Sequence, residues 1–543
     1  MIAAPFYYAT PENNWAEIIQ PYLKPWLVPQ GEKTVQYFFE GLPKGEQIPW
    51  MAWIKPLSFW FIFIFVLYMV MLCITVILRK QWVEKEKLLY PLAQLPIEMV
   101  KGDESGKLIK PFFRNKLMWL GFAIPFFISS WNGLHSYFHF IPPIKLVDYV
   151  SIFQKTMALH FRLSFPIMGF AYFINQEVAF SMWFFSLLYT ILQGIFNITG
   201  ISSPEVTGIF GIREPILSHL GTGAFFGLVV FGLWMAKSHL KDVFKKAFKN
   251  RSNIDDSEEI ISYRTAVFGL ILGTIILIIW LTASGMSVLT ALTFLICAFI
   301  FWIGLTRIIA EAGIATMISP SIGASQVVSG LGSANIGNQG LTSLGLTYIY
   351  AADIRTFPMS SMTQSLKLSS GTAERKRGIF WAILLAIVLT FAASNWIAIK
   401  LAYTYGGINL NGWYFVNGPQ VPYNYVTTHI KHPQPVNTLG WFCRTGGVIL
   451  MGIFMLMRYR FLWWPLHPLG FAIGGVSWVQ ALWFSIFLVW LLKTLILKYG
   501  GVRLFRTLRP VFLGFVLGQY SAACLWFIID LITGHTGNQV FWI

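Results

Sequence analysis

The sequence predicts an all-α, polytopic integral membrane protein, and three observations carry that expectation. Apolar runs of about 20 residues, the length of a membrane-crossing helix, recur along the chain. Only 12% of the 543 residues are charged, about half the share usual in a soluble domain. Aromatic residues reach 17%, with 23 Trp, which suits a chain anchored at two membrane–water interfaces.

Residues 1–56 are polar, aromatic and dotted with proline, and they lack the basic and apolar regions of a signal peptide. They read as an external N-terminal segment, with further helices expected upstream of Met1. The apolar runs then fall at 57–78, 117–138, 163–179, 181–199, 217–236, 266–285, 287–305, 379–401, 446–457, 478–495 and 511–533, giving about 11 transmembrane helices. Residues 57–236 form a first half. Residues 237–264 form a charged linker, basic and then acidic (Asp255, Asp256, Glu258, Glu259). Residues 265–543 form a second half.

The net charge of +17 raises the question of nucleic acid, and its distribution answers it. The connections 79–116, 237–264, 374–377, 458–460 and 493–509 hold 26 of the 40 Lys and Arg, and all five are read as lying on one side of the membrane. That asymmetry is the positive-inside pattern. It predicts a multi-pass protein of the cytoplasmic membrane with both termini external, whose partner is the lipid bilayer and not nucleic acid.

The two halves are loosely similar. Tyr90-Pro91-Leu92-Ala93-Gln94-Leu95 follows the basic exit of the first run. Trp464-Pro465-Leu466-His467-Pro468-Leu469 follows the basic exit of the run at 446–457. Proline-broken segments at matching places in two halves point to a transporter site.

Residues 312–352 contain no charge. Seven glycines, six serines and Pro320 interrupt any helix, and the stretch is too poor in large apolar groups to face lipid. It predicts re-entrant or half-helical backbone at membrane depth, in which Gln326, Asn335, Asn338 and Gln339 hydrogen-bond a polar solute. Charges bracket it. Arg307 and Glu311 share a helix face at i, i+4 and are placed to pair, and Asp353 and Arg355 follow. Glu177 interrupts another apolar segment beside Asn175 and Gln176, and is a candidate for proton coupling. His467 lies between two prolines. Glu205, Arg213 and Glu214 read as a solvated external turn, and His219 as a structural histidine.

No HExxH, Walker loop, GxSxG or CxxC occurs, and the four cysteines are scattered. These patterns predict no enzyme, no cofactor and no metal centre.

Trp82-Val83-Glu84 running into Tyr90–Pro96, Arg307–Gly313 (RIIAEAG) and Trp464–Gly470 (WPLHPLG) resemble an uncharacterised group of bacterial polytopic proteins. That group is distantly similar to the oligopeptide transporter (OPT) superfamily. The resemblance implies proton-coupled carriage of peptides or metal chelates. The superfamily's Asn-Pro-Gly and Lys-Ile-Pro-Pro-Arg motifs are absent, so no ligand-binding residue carries over. The combined expectation is a secondary transporter of a small polar solute with a coupling ion, alone, as a homo-oligomer or in a larger assembly. The alternative is a structural subunit of a membrane complex.

Overall fold

The structure is a computed structural model that describes residues 1–101, 110–249, 255–314, 317–351, 358–369 and 377–539. Nine helical stretches among the described residues are long and apolar enough to cross a membrane. The principal helices are α1 (Trp50–Lys80), α2 (Pro91–Val100), α3 (Lys116–Tyr137), α4 (Phe165–Ala171), α5 (Gln176–Thr199), α6 (Pro215–Met235) and α7 (Lys237–Lys249). After these come α8 (Tyr263–Ser284), α9 (Val288–Ala312), α10 (Gly323–Leu331), α11 (Ser333–Leu346), α12 (Met359–Ser369) and α13 (Arg377–Tyr405). The chain ends with α14 (Gly418–Lys431), α15 (Thr438–Arg460), α16 (Pro468–Ile473), α17 (Ser477–Leu495) and α18 (Gly501–Thr533). Local chemistry sets several starts. Ser262, Ser287 and Asn437 cap α8, α9 and α15 by accepting a backbone N–H, and Glu214 with Pro215 opens α6.

The expected span at 163–179 is corrected. Strands β1 (Val147–Ile152) and β2 (Met157–Arg162) form an antiparallel hairpin, and β2 leads into the seven-residue α4. This composite descends beside α17. Trp483 Nε1 donates to the His160 carbonyl at 2.8 Å, and Ser485 Oγ donates to the Arg162 carbonyl at 2.6 Å. Lys493 Nζ donates to the carbonyls of Tyr172 and Ile174 at 3.1 and 2.6 Å. The last two expected spans lie in one helical stretch, Ser477–Thr533, that turns at Gly501 (φ 61°).

Helices α16 and α17 form a hairpin against α5. Phe471 of α16 meets Phe185, with ring centres 5.5 Å apart. On the return, Gln480 bonds Thr190 and Gln176 bonds Thr494. The expected halves interleave: α1 packs on α8, α5 on α16 and α17, α6 on α15, and α3 on α18. Basic residues from Arg79, Arg307, Arg458 and Arg509 meet carboxylates at one end of the bundle. At the opposite end the N-terminal segment folds over α13, where Trp53 Nε1 donates to Tyr403 Oη at 2.9 Å.

Two of the closest helix pairs are made by small residues. A Cβ on Gly514 or Gly518 of α18 would overlap the carbonyl of Met118 or Phe122 on α3. On α6 and α15, a Cβ on Gly223 or Gly447 would overlap the carbonyl of Arg444 or Leu220. Close backbone approach replaces the hydrophobic drive that lipid removes. Gly446 and Gly447 therefore separate two effects on one helix. At Gly446 no heavy atom lies within 4 Å of an added Cβ. Gly446→Ala is expected to be neutral or stabilising by up to about 1 kcal/mol, through helix propensity. Gly447→Ala is expected to cost about 1–3 kcal/mol by overpacking. Thermal unfolding of both variants in a neutral detergent checks the pair.

Candidate functional site

The last turn of α9 joins the two proline-broken segments. Arg307 and Glu311 share a face as expected, but they do not form the expected pair. Arg307 Nη2 reaches Glu86 Oε2 at 2.7 Å, and Glu311 Oε1 lies 3.3 Å from His467 Nε2. Glu86 and His467 are closer competitors because both segments fold onto this helix end. Tyr90 N–H donates to the Ala310 carbonyl at 2.8 Å, and Gly313 (φ 63°) packs its Cα face on Pro91. His467 caps α16, its Nδ1 accepting from Leu469 N–H. A neutral imidazole in that arrangement carries its proton on Nε2, the nitrogen that faces Glu311. The two segments do not match in register, since α2 begins at Pro91 but α16 begins at Pro468, three residues beyond Pro465.

Glu177 is not buried in the interior. It stands in the first turn of α5 with its side chain 46% exposed, 2.9 Å from Arg458 Nη2. Asp353 and Arg355 lie outside the described residues.

Beyond Gly313 the charge-free stretch runs without helix to Ile322 in its described part, and residues 319–322 are buried. It meets a second non-helical run, 201–214. Ile212 N–H and Ser218 Oγ both donate to the Pro320 carbonyl, at 2.8 and 3.2 Å. Ser325 Oγ donates to the Thr207 carbonyl at 2.9 Å. Gly211 (φ 104°) is required there, because a Cβ would overlap the Pro320 carbonyl. Of the four amides, only Gln326 lies in this buried region, donating to Ser321 Oγ at 2.8 Å. Asn335, Asn338 and Gln339 are exposed at the far end of the bundle. Asn335 bonds the Leu331 carbonyl, Asn338 reaches Tyr22, and Gln339 sits against Gly285. Gly337 (φ 73°) breaks α11 between them.

Where α10 ends, a cluster forms that sequence reasoning assigned to solvent. Glu205 Oε2 lies 2.6 Å from His219 Nε2 and accepts from Asn437 Nδ2, and both side chains of the pair are under 10% exposed. Arg444 Nη2 donates to Ser329 Oγ at 2.6 Å, and the same hydroxyl lies 3.5 Å from His219. Burial raises the Glu205 carboxyl, but His219, Ser329 and Asn437 hydrogen-bond it and hold it below the usual carboxylate range. Glu214 is also buried, as the cap of α6. The turn is thus folded inward. A carboxylate in a Pro204–Pro215 loop, fourteen residues before a histidine in the next helix, was its only local signal. Arg444 Nε, His219 Nδ1 and Gln326 Oε1 are buried and make no hydrogen bond to the described residues.

A cavity of about 560 Å³ opens on the other side of this region. Half of its lining residues are aromatic, including Phe38, Trp53, Trp60 and Phe415, and Phe210 and Tyr348 bring it to the two non-helical runs. Among the described residues no group of three or more His, Cys, Asp or Glu could hold a metal ion.

These features define a helical protein in which broken, polar segments are enclosed by helices of membrane-crossing length. The chain belongs to DUF6785, a family of unknown function, which matches residues 1–542. No curated protein matches it significantly.

The buried and exposed ion pairs should respond differently to substitution. Glu205→Leu strands His219, Asn437 and the nearby Arg444, and is expected to cost about 3–5 kcal/mol, as for a broken buried pair. Glu177→Gln removes a half-exposed partner of Arg458 and is expected to change stability by less than about 1 kcal/mol. Unfolding temperatures of the two variants in detergent give the comparison.

Proposed function

We propose that the chain is a secondary active transporter of the cytoplasmic membrane, coupled to protons and carrying a small solute with peptide-like amide groups. The observation that carries this reading is the contact between residues 317–322 and 201–214. Two non-helical runs meet at the Pro320 carbonyl inside a bundle of crossing-length helices. Irregular backbone at that depth is tolerated where it is packed in protein or lines a path, and transporter sites are built from such discontinuous segments.

A carboxylate–histidine pair stands at each end of the broken stretch, Glu311–His467 before it and Glu205–His219 where α10 closes. Each pair can bind or release a proton. The hydrogen-bonding capacity left on Arg444, His219 and Gln326 suits an amide or carboxylate group. The aromatic cavity favours a solute with an apolar face as well. The resemblance to oligopeptide transporters supports the same class. Coupling in this reading rests on Glu311 and Glu205, and Glu177 serves at a helix entrance.

A structural membrane subunit is the second reading, and α13 favours it. Only 6% of its apolar window is fully buried, so one side of a 29-residue helix is left for neighbours.

Proteoliposomes containing a pH dye separate the two. Under an imposed proton gradient, a panel of di- and tripeptides should give solute-dependent acidification. Glu311→Gln and Glu205→Gln should reduce it at least tenfold while the protein still elutes as a single species. Absence of any solute-dependent signal from intact protein, with other chains co-purifying in fixed ratio, sinks the transporter reading.

A further inference from the structure

Helix α7 (Lys237–Lys249) follows α6 at the basic end of the bundle, and its faces differ sharply. His239, Val243 and Ala247, four residues apart, are buried, and His239 Nε2 lies 2.8 Å from the Ile77 carbonyl oxygen. Val243 and Ala247 pack into a cluster with Leu72, Val76, Ile260 and Tyr263, and the His239 ring faces that of Tyr263. The opposite face carries Lys237, Lys241, Lys245 and Lys249 at the same spacing, all exposed. Lys246, turned toward the bundle, is held 2.7 Å from Asp256 Oδ1. Among the described residues Lys237, Lys241 and Lys245 form no ion pair, and the one carboxylate on the helix, Asp242, is half-buried.

The lysine face is not simply a solvated one, because large apolar groups interleave it. Phe244 and Phe248 are 40% and 58% exposed. Trp234 and Met235, just before the helix, are exposed too, and Lys237 Nζ lies 4.4 Å from the Trp234 ring centre. Phe248 contacts Phe268 of α8 with ring centres 5.5 Å apart. Phe268 begins a stripe of exposed apolar side chains on α8 that continues through Leu272, Ile275 and Ile279. The apolar edge of α7 is therefore continuous with the surface of α8 that faces away from the bundle. A helix with a fixed inner face, aromatic groups at the head of such a stripe and lysines beyond them has the layout of an interfacial helix. Lysine stems cover apolar surface while their ammonium groups reach the headgroup layer.

We propose that α7 is a binding surface for anionic phospholipid headgroups, with Phe244, Phe248 and Trp234 at the edge of the hydrocarbon and Lys241, Lys245 and Lys249 on the phosphates. Juxtamembrane lysines attract anionic lipid within a Debye length, so the interaction is sensitive to salt.

The test uses the full-length protein reconstituted with spin-labelled phosphatidylglycerol or phosphatidylcholine, reading the motionally restricted lipid fraction. The wild type should prefer phosphatidylglycerol several-fold at low salt and lose most of that preference at high salt. The triple variant Lys241→Gln/Lys245→Gln/Lys249→Gln should bring the ratio close to one, with an unchanged melting temperature in neutral detergent. The triple Lys→Arg variant at the same positions should retain the preference. A triple Gln variant that keeps the wild-type ratio overturns the proposal. So does competition by soluble inorganic phosphate that removes the preference without a matching effect of chloride, which would mark a free-anion site in place of a lipid surface.

Discussion

Everything in this fold depends on finding partners for backbone N–H and C=O groups where water is excluded. A straight helix meets that demand by itself. Among the described residues, three departures from straight helix are each satisfied by polar groups from a neighbouring segment. The strand–helix composite 157–171 is served by α17, whose Trp483, Ser485 and Lys493 donate to the carbonyls of His160, Arg162, Tyr172 and Ile174. The run 317–322 and the run 201–214 serve each other through the Pro320 and Thr207 carbonyls. The start of α2 is tied to the end of α9 by Tyr90 N–H and the Ala310 carbonyl. Truncating Lys493 leaves the Tyr172 and Ile174 carbonyls without that donor, and the desolvation of an unpaired buried carbonyl outweighs the modest net gain of an ordinary hydrogen bond.

That constraint explains why the parts of the chain interleave. Segments that cannot satisfy themselves must be held by helices from elsewhere in the sequence, so α17 holds 157–174 and α5 holds the α16–α17 hairpin. Glycines then set how near the helices come. Gly514 and Gly518 on α18, and Gly223 and Gly447 on α6 and α15, each sit where a side chain would strike a neighbouring carbonyl. Close backbone contact of this kind is one of the few attractive forces left between helices in lipid.

The helices were legible in the sequence because the length of an apolar run is a local property. The run at 163–179 shows where that fails. Its apolar content is that of a span, but the helix that opens in it, α4, is only seven residues long and ends at Ala171, and the partners on α17 lie more than 300 residues away. The candidate site was legible in fragments. The i, i+4 spacing put Arg307 and Glu311 on one face correctly, yet which partner each takes depends on how the Tyr90 and His467 segments fold back. The charge-free stretch signalled broken backbone through its glycines and Pro320, but composition could not show that Asn335, Asn338 and Gln339 would reach the surface while Gln326 stays inside. Glu205 and His219 were hidden because prolines and charges in a short connection look alike whether the loop faces water or folds inward.

The Glu205–His219–Arg444 cluster also bears on why such residues are there. Taking charged or strongly polar groups out of water costs several kcal/mol each, and the attraction between them repays it only when every hydrogen bond is made. Here Arg444 Nε and His219 Nδ1 remain without a partner among the described residues, so repayment is incomplete. Well-packed apolar side chains in all three places would leave a fold of this kind about as stable, or more so. Packing alone therefore does not account for the cluster. Its position where α10 closes, with the Glu311–His467 pair before the broken stretch, is in keeping with the proposed role in moving charge or solute.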